Sequence, residues 1–244
     1  MNLIVDIGNS RIKVVVMAGD NIIDERVSQD VNRLWLNDIV DGYKEIDRAI
    51  ISSTSNAGGV VAEWLRDRVD YLLLFEPATT PVPIGNSYAT PQTLGADRLA
   101  AAVGGVALFS DGDLMIVDFG TAITIDYVVD GAFVGGNISP GMTTRFRALA
   151  DYTAKLPLCS PTDEVLTYGR TTHEAIEQGV MQGITNEIEG YIEGFLHKKS
   201  KKYIIFTGGD AKYFVKRIKN TIFADCEPVI YGLNTILNYN ADKI

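Results

Sequence analysis

The strongest constraint on the fold is a phrase the chain uses twice. An apolar, strand-like run ends in Asp-x-Gly and a small polar residue at LIVDIGNS, residues 3–10, and again at LMIVDFGT, residues 114–121. A shift of 112 positions lays Asp6 on Asp118, Gly8 on Gly120, Asn9 on Thr121 and Gly19 on Gly131. Two generic hairpins can share a strand and a turn by chance. The downstream glycine in register favours a duplicated, domain-sized unit. The phrase is also chemically odd, because a carboxylate at the end of a buried strand costs free energy unless something positive meets it.

Periodicity fills in the two halves. Alternating apolar runs bounded by turn residues predict strands over 2–7, 11–17 and 22–27, an antiparallel meander. A helix over 31–39, a strand over 48–55 and a helix with Val61, Trp64, Leu65 and Val69 on one face follow. A strand over 71–75 and a helix over 94–109 complete the first half. The second half restarts with strands over 115–118, 124–129 and 133–138 and a helix after Pro140-Gly141. A long helix over 172–196 carries Met181, Ile184, Ile188, Tyr191, Ile192 and Phe195 at helical spacing. A strand over 202–206, a turn and helix from TGGDA, and a strand and short helix from EPVIYGLNTIL close the chain. The expected architecture is α/β, with two similar domains, 1–112 and 113–244, and a cleft between them.

Composition narrows the partners. A hydrophobic content of 46% with 22% charged residues suits a chain that builds a real core. A net charge of −9 argues against gripping a nucleic-acid backbone, where basic patches supply affinity. It leaves room for a small anion, since turns and helix N-termini bind phosphate through backbone amides. Cys159 and Cys226 form no CxxC pair and join no Cys/His cluster of zinc-binding spacing, so two reduced, buried thiols are expected. The N-terminus has no basic leader region, and Asp6 interrupts its apolar run. The run LAAAVGGVALFS is too short to span a bilayer. A cytoplasmic protein with no nucleic-acid or membrane partner is the expectation.

Four stretches carry chemistry. In the two repeated turns, glycine lets an anion approach backbone amides, while Asn9, Ser10, Thr121 and Thr124 add side-chain donors. Asp6 and Asp118 make sense beside a cation that accompanies a phosphate; alternatively, each caps its turn. In FTGGDA, a strand runs into Gly208-Gly209 and a helix start, offering either a floor for a base or ribose or a plain strand–helix loop. In YATPQTLGADRLAAA, an Asp-Arg pair opens an apolar helix. Arg98 gains nothing from the positive end of the helix dipole. Two readings fit: Asp97 as general base with Arg98 on an anionic substrate group, or a helix-start aspartate with a solvated arginine. His173 reads as a surface residue. No Gly-Lys-Ser/Thr follows a glycine-rich loop and no GxGxxG follows a strand, so any nucleotide is held by other means.

Together, DIGNS from Asp6, YATPQTLGADR from Tyr88, DFGTAIT from Asp118, GGNISPG from Gly135, GRTT ending at Thr172 and TGGDA from Thr207 resemble the type III pantothenate kinase family over the whole chain. The resemblance implies the actin-like ATPase fold of the acetate and sugar kinase/actin superfamily: two ribonuclease-H-like βββαβαβα domains around a nucleotide cleft. It implies ATP-dependent phosphorylation of pantothenate to 4'-phosphopantothenate, the first step of coenzyme A biosynthesis. By the same resemblance, Asp6, Gly8, Asn9, Ser10 and Lys13 lie at the ATP phosphates, with Asp6 near Mg2+ through water. Ser10 stands where many members carry threonine, which keeps the hydroxyl. Gly120, Thr121 and Thr124 belong to the ATP side, Asp118 to a monovalent cation, K+ or NH4+, and Gly208 and Gly209 to the adenosine motif. Tyr88, Gly95, Ala96, Asp97, Arg98 and Thr172 line the pantothenate site, with Asp97 as proton acceptor. The family is dimeric, which makes the helices over 140–149 and 172–196 candidates for a homodimer contact.

Overall fold

A computed structural model describes residues 1–8, 11–30, 32–53, 57–197, 200–218 and 227–243. Asn9, Ser10, Cys226 and the end of the strand expected over 48–55 lie outside the described residues. Contacts gather the chain into two compact units, neither continuous in sequence. One comprises Met1–Ser110, Gly131–Val134 and Glu227–Ile244; the other comprises Asp111–Asp130 and Gly135–Cys226.

The first unit is built on a five-stranded sheet. Its strands are β1 (Asn2–Ile7), β2 (Ile12–Ala18), β3 (Asn21–Ser28), β4 (Arg48–Ser53) and β5 (Tyr71–Leu74), in the order β3-β2-β1-β4-β5. The meander β1-β2-β3 is antiparallel, and β4 and β5 add in parallel. Side chains alternate across a strand, so Leu3, Val5 and Ile7 share one face of β1. They pack with Leu36 and Ile39 of α1 (Arg33–Gly42) and with Val61, Trp64 and Leu65 of α2 (Ala57–Leu65). On β1, Asn2, Ile4 and Asp6 share the opposite face. β1 and β4 contact α7 (Pro228–Ala241), and β4 also contacts α3 (Ala96–Leu108). These two helices touch at backbone distance. A Cβ on Gly104 would stand 1.9 Å from the Pro228 carbonyl, and one on Gly232 would stand 1.8 Å from that of Ala100. Only glycine permits such an approach.

The second unit carries β7 (Asp113–Phe119), β8 (Ala122–Val129), most of β9 (Ala132–Pro140) and β10 (Lys202–Thr207), ordered β10-β7-β8-β9. β7 runs antiparallel to β8 and parallel to β10, which repeats the β1-β2 and β1-β4 arrangement. Met115, Val117 and Phe119 of β7 meet Met142 and Phe146 of α4 (Met142–Asp151) and Ile176, Val180, Met181, Ile184, Ile188 and Ile192 of α5 (Thr172–Leu196). α6 (Ala211–Phe214) follows β10.

Two features depart from expectation. The residues read as a strand in EPVIY are the start of α7, with Pro228 in its first turn, where its missing N–H costs nothing. A two-residue strand, β6 (Gly85–Asn86), pairs in parallel with Ala132 and Phe133. No helix among the described residues is long and apolar enough to cross a membrane.

Candidate active site

In the first unit the even face of β1 leads to the site. Asn2 Nδ2 donates to Asn234 Oδ1 at 2.7 Å and to Asn238 Oδ1 at 2.8 Å, which ties β1 to α7. Ile4 is fully buried. Asp6, at the end of the row, is half-buried. Burial pushes its carboxyl up to about 6. The hydroxyl of Ser52 works against that shift, the charge of Asp97 adds to it, and Lys13 and Arg11 lower it. Ser52 is the β4 register partner of Asp6 and is wholly buried. Its Oγ makes no hydrogen bond of standard geometry, so it acts on Asp6 as a nearby hydroxyl dipole. The charge of Asp97 at the start of α3 thus reaches Asp6 at the first turn.

The start of α3 is shaped by Gly95. A Cβ there would stand 2.5 Å from Asp97 Oδ1, so the glycine makes room for the carboxylate. That oxygen accepts the Arg98 amide at 2.9 Å. Arg98 is only 6% exposed, which overturns the reading of a solvated arginine. Its guanidinium lies 5.7 Å from the Tyr88 ring centre and 5.9 Å from that of Phe133, within cation–π range of both. The two rings are 5.8 Å apart. Ala96, between Gly95 and Asp97, is buried. Phe133, expected only as the start of a strand, pairs with β6, and the Ser87 amide just beyond β6 donates to its carbonyl at 2.9 Å. Lys13, expected at phosphate, is buried, with Nζ 3.0 Å from Glu25 and 2.6 Å from Glu227. Two carboxylates therefore engage the charge expected to meet phosphate. The Gly8 amide closes its turn onto the Arg11 carbonyl at 3.0 Å.

The second unit assembles the matching turn from three segments. Asp118 is the last but one residue of β7, with Thr124 of β8 and Thr207 of β10 as register partners. Gly208 has φ +93°, and a Cβ on it would stand 2.3 Å from Asp118 Oδ1 and 2.6 Å from the Phe119 amide. The turn after β10 can lie against that carboxylate only because residue 208 has no side chain. The Asp210 amide donates to the Phe119 carbonyl at 3.0 Å. Beneath, Phe119 stacks on Phe214 at 4.9 Å and meets Phe206 edge-on at 5.0 Å. The SPG of GGNISPG supports the turn from another side. The Gly141 amide and Thr144 Oγ1 donate to the Thr121 carbonyl at 3.0 and 2.7 Å. A Cβ on Gly141 would stand 2.1 Å from the Gly120 carbonyl. Thr121 and Gly209 are exposed, and Thr124 is partly so.

The structure thus gathers Asp6, Gly8, Tyr88, Gly95, Ala96, Asp97 and Arg98 in one unit, and Asp118, Gly120, Thr121, Thr124, Gly208 and Gly209 in the other. Thr172 is exposed at the first turn of α5, next to a capping box formed by Thr171 and Glu174.

Comparison with known proteins agrees with these motifs. A family model described as type III pantothenate kinase matches residues 2–194. A type III pantothenate kinase of Phocaeicola vulgatus is 40% identical over 245 residues, covering all of both chains. Among solved structures, a Campylobacter jejuni protein described as of the Baf family of transcriptional activators superposes with a TM-score of 0.64 at 21% identity, over 98% of this chain and 99% of its own. Component A of the (R)-2-hydroxyglutaryl-CoA dehydratase of Acidaminococcus fermentans does so at 0.56 and 11%, over 99% and 98%. These two structures speak to the fold alone, which is that of the actin-like kinases and ATPases.

Proposed function

The chain belongs to the type III pantothenate kinase family, and from that premise we propose how its residues divide the work of phosphorylating pantothenate. The activity is transfer of the γ-phosphoryl group of ATP to pantothenate, giving 4'-phosphopantothenate on the way to coenzyme A. The observation that carries the assignment of roles is the start of α3. There a carboxylate with room made for it by Gly95 acts electrostatically on Asp6, beside an arginine buried against two aromatic rings.

Asp97 is the proton acceptor. The primary hydroxyl oxygen of pantothenate attacks the γ-phosphorus, its proton passes to the Asp97 carboxylate, and ADP leaves. Arg98 supplies a fixed positive charge for the substrate's carboxylate, while Tyr88 and Phe133 keep the guanidinium in place. Gly95, Ala96 and Thr172 belong to the same substrate site. Asp6 suits a hydrated Mg2+ ion: burial raises its pKa and the charge of Asp97 adds to that, so its anion lacks full compensation from the protein. Mg2+ bound with ATP supplies that compensation. The Gly8 turn with Asn9 and Ser10, and the Gly120–Thr121 turn with Thr124, offer donors to phosphate. Asp118 holds K+ or NH4+, and Gly208 and Gly209 face the adenosine. The reading extends to a cytoplasmic homodimer joined through α4 and α5, and to 1–112 and 113–244 as duplicated halves.

The test is pantothenate-dependent ADP release from Mg-ATP in paired sodium and potassium buffers. Activity should require pantothenate and potassium. Asp97→Asn should lower turnover by roughly a hundredfold or more, the usual scale for a general base. Near-wild-type turnover in a folded Asp97→Asn protein would remove the base. ATP turnover indifferent to pantothenate would remove the substrate.

A further inference from the structure

We propose that Cys159, His173 and Glu177 form a binding site for one divalent ion of the zinc type, built from residues other than those assigned to phosphoryl transfer. One ligand atom from each lies within 4.8 Å of the other two. Cys159 Sγ and His173 Nδ1 are 3.4 Å apart. A sulfur and a nitrogen on one tetrahedral zinc ion stand roughly 3.5 Å apart, given their usual bond lengths. No zinc-binding spacing marks this group in the sequence. The pair is separated by 14 positions and comes together only through the fold.

The cluster is held from two sides. His173 and Glu177 lie four residues apart on α5 and share one face of it. The Thr171–Glu174 capping box fixes the first turn of that helix. Cys159 comes from the segment 152–171, which has no regular structure but is pinned a few residues later. Gln178 of α5 donates to the Glu164 carbonyl and accepts the Leu166 amide, both at 3.0 Å. Arg217 donates to the carbonyls of Thr162 at 2.7 Å and Glu164 at 3.2 Å. The thiol is buried, the imidazole is exposed and the carboxylate is half-exposed, so an ion has a route in from solvent.

The donor set selects the ion. Sulfur, nitrogen and oxygen suit zinc, whereas magnesium and calcium take all-oxygen shells. Three protein ligands leave one position for water. A thiol–imidazole hydrogen bond accounts for the 3.4 Å pair but not for the carboxylate completing the group. Binding would staple the irregular segment to the helix that Thr172 opens.

The experiment is a titration of the chelator-treated, full-length protein with Co2+, followed by displacement with Zn2+. One equivalent should give a thiolate-to-cobalt charge-transfer band that Zn2+ abolishes. Cys159→Ser should lose the band. His173→Ala and Glu177→Gln, both at accessible positions that leave the core intact, should each weaken binding at least about tenfold, as losing support for a bound metal does. Absence of a saturable single equivalent would overturn the site. So would affinity unchanged in both His173→Ala and Glu177→Gln, whatever the folding of Cys159→Ser.

Discussion

The two Asp-x-Gly turns begin alike and diverge within three residues. Residues 8–11 separate the register partners Ile7 and Ile12, whereas only 120–122 separate Phe119 and Ile123. Beyond those partners the second strands run equally far, Ile12 to Ala18 and Ile123 to Val129, and the glycine that follows stands first in one turn and second in the other. Across the hairpin, Asp6 pairs with Lys13 and Asp118 with Thr124. On the parallel side, Asp6 meets the wholly buried Ser52, while Asp118 meets Thr207 and has Gly208 pressed against it. The same backbone phrase thus delivers two carboxylates to different company. What each can do is set by the strand beside it and, for Asp6, by the start of α3.

If labour is divided in this way, the two aspartates should fail differently. Asp6→Asn should cut turnover on the order of a hundredfold, as loss of a group serving the transferring phosphoryl does. It should do so equally in sodium and potassium buffers. Asp118→Asn should instead flatten the difference between those buffers. Identical potassium profiles for the two variants would break the comparison at its strongest point.

The glycines offer a second test, read as stability. Gly208 sits at φ +93°, and an added Cβ would run into backbone as well as Asp118. Gly208→Ala should destabilise the protein by about 3 kcal/mol, combining strain with overpacking. An added Cβ on Gly8 would have its nearest neighbour, the Arg11 carbonyl, at 3.4 Å. Gly8→Ala should cost well under about 1 kcal/mol while still impairing phosphate binding. Denaturant melts of both variants settle the ranking, and equal midpoints would contradict it.

Asp6 also sets a pH dependence of the protein without nucleotide or Mg2+. Its carboxyl is raised from 3.8 to about 6, so the native state holds a proton that the unfolded chain has released. The contribution to stability is full below the unfolded value and is lost as pH rises through about 6. Asp6→Asn cannot ionise, so above that pH it should be more stable than wild type. The gain is roughly 1–2 kcal/mol after discounting for partial exposure. It should disappear near pH 4. Melts at both pH values check it, and an Asp6→Asn protein less stable than wild type at pH 8 would contradict it. Gain in stability with loss of turnover is what a binding site held under electrostatic tension should show.

Sequence legibility followed the same division. The strand–turn phrases and the long helix were readable because periodicity and turn residues are local: α5 runs over the expected 172–196. Asp97 and Arg98 stood out because an arginine at a helix start contradicts the dipole. Three things were not readable. Phe133 joins Tyr88 and Arg98 only because a two-residue strand, too short for any pattern, pairs with β9. The helical start of α7 was hidden because a proline and β-branched residues suit a strand end as well as a first turn. The engagement of Lys13 by Glu25 and Glu227 depends on a residue more than two hundred positions away. The first and the last are long-range facts with no local signature, and the second is a local pattern that fits two structures.

The smallest effect tests the far ends of the two hairpins, where glycine stands first in one turn and second in the other. Gly19 has φ +59° and Asp20 is not left-handed, the pattern of a type II′ turn. At the other hairpin both Asp130, at φ 51°, and Gly131, at φ 73°, are left-handed, the pattern of type I′. An L-residue at positive φ carries a penalty that glycine does not, while glycine at an ordinary φ loses more chain entropy on folding. Asp130→Gly should therefore stabilise the protein by up to about 1 kcal/mol. Asp20→Gly should destabilise it by about 0.5 kcal/mol. Opposite signs in paired denaturant melts follow only if the two turns differ as described. The same sign in both would mean that the duplication extends to turn type, and that the two hairpins differ only around their aspartates.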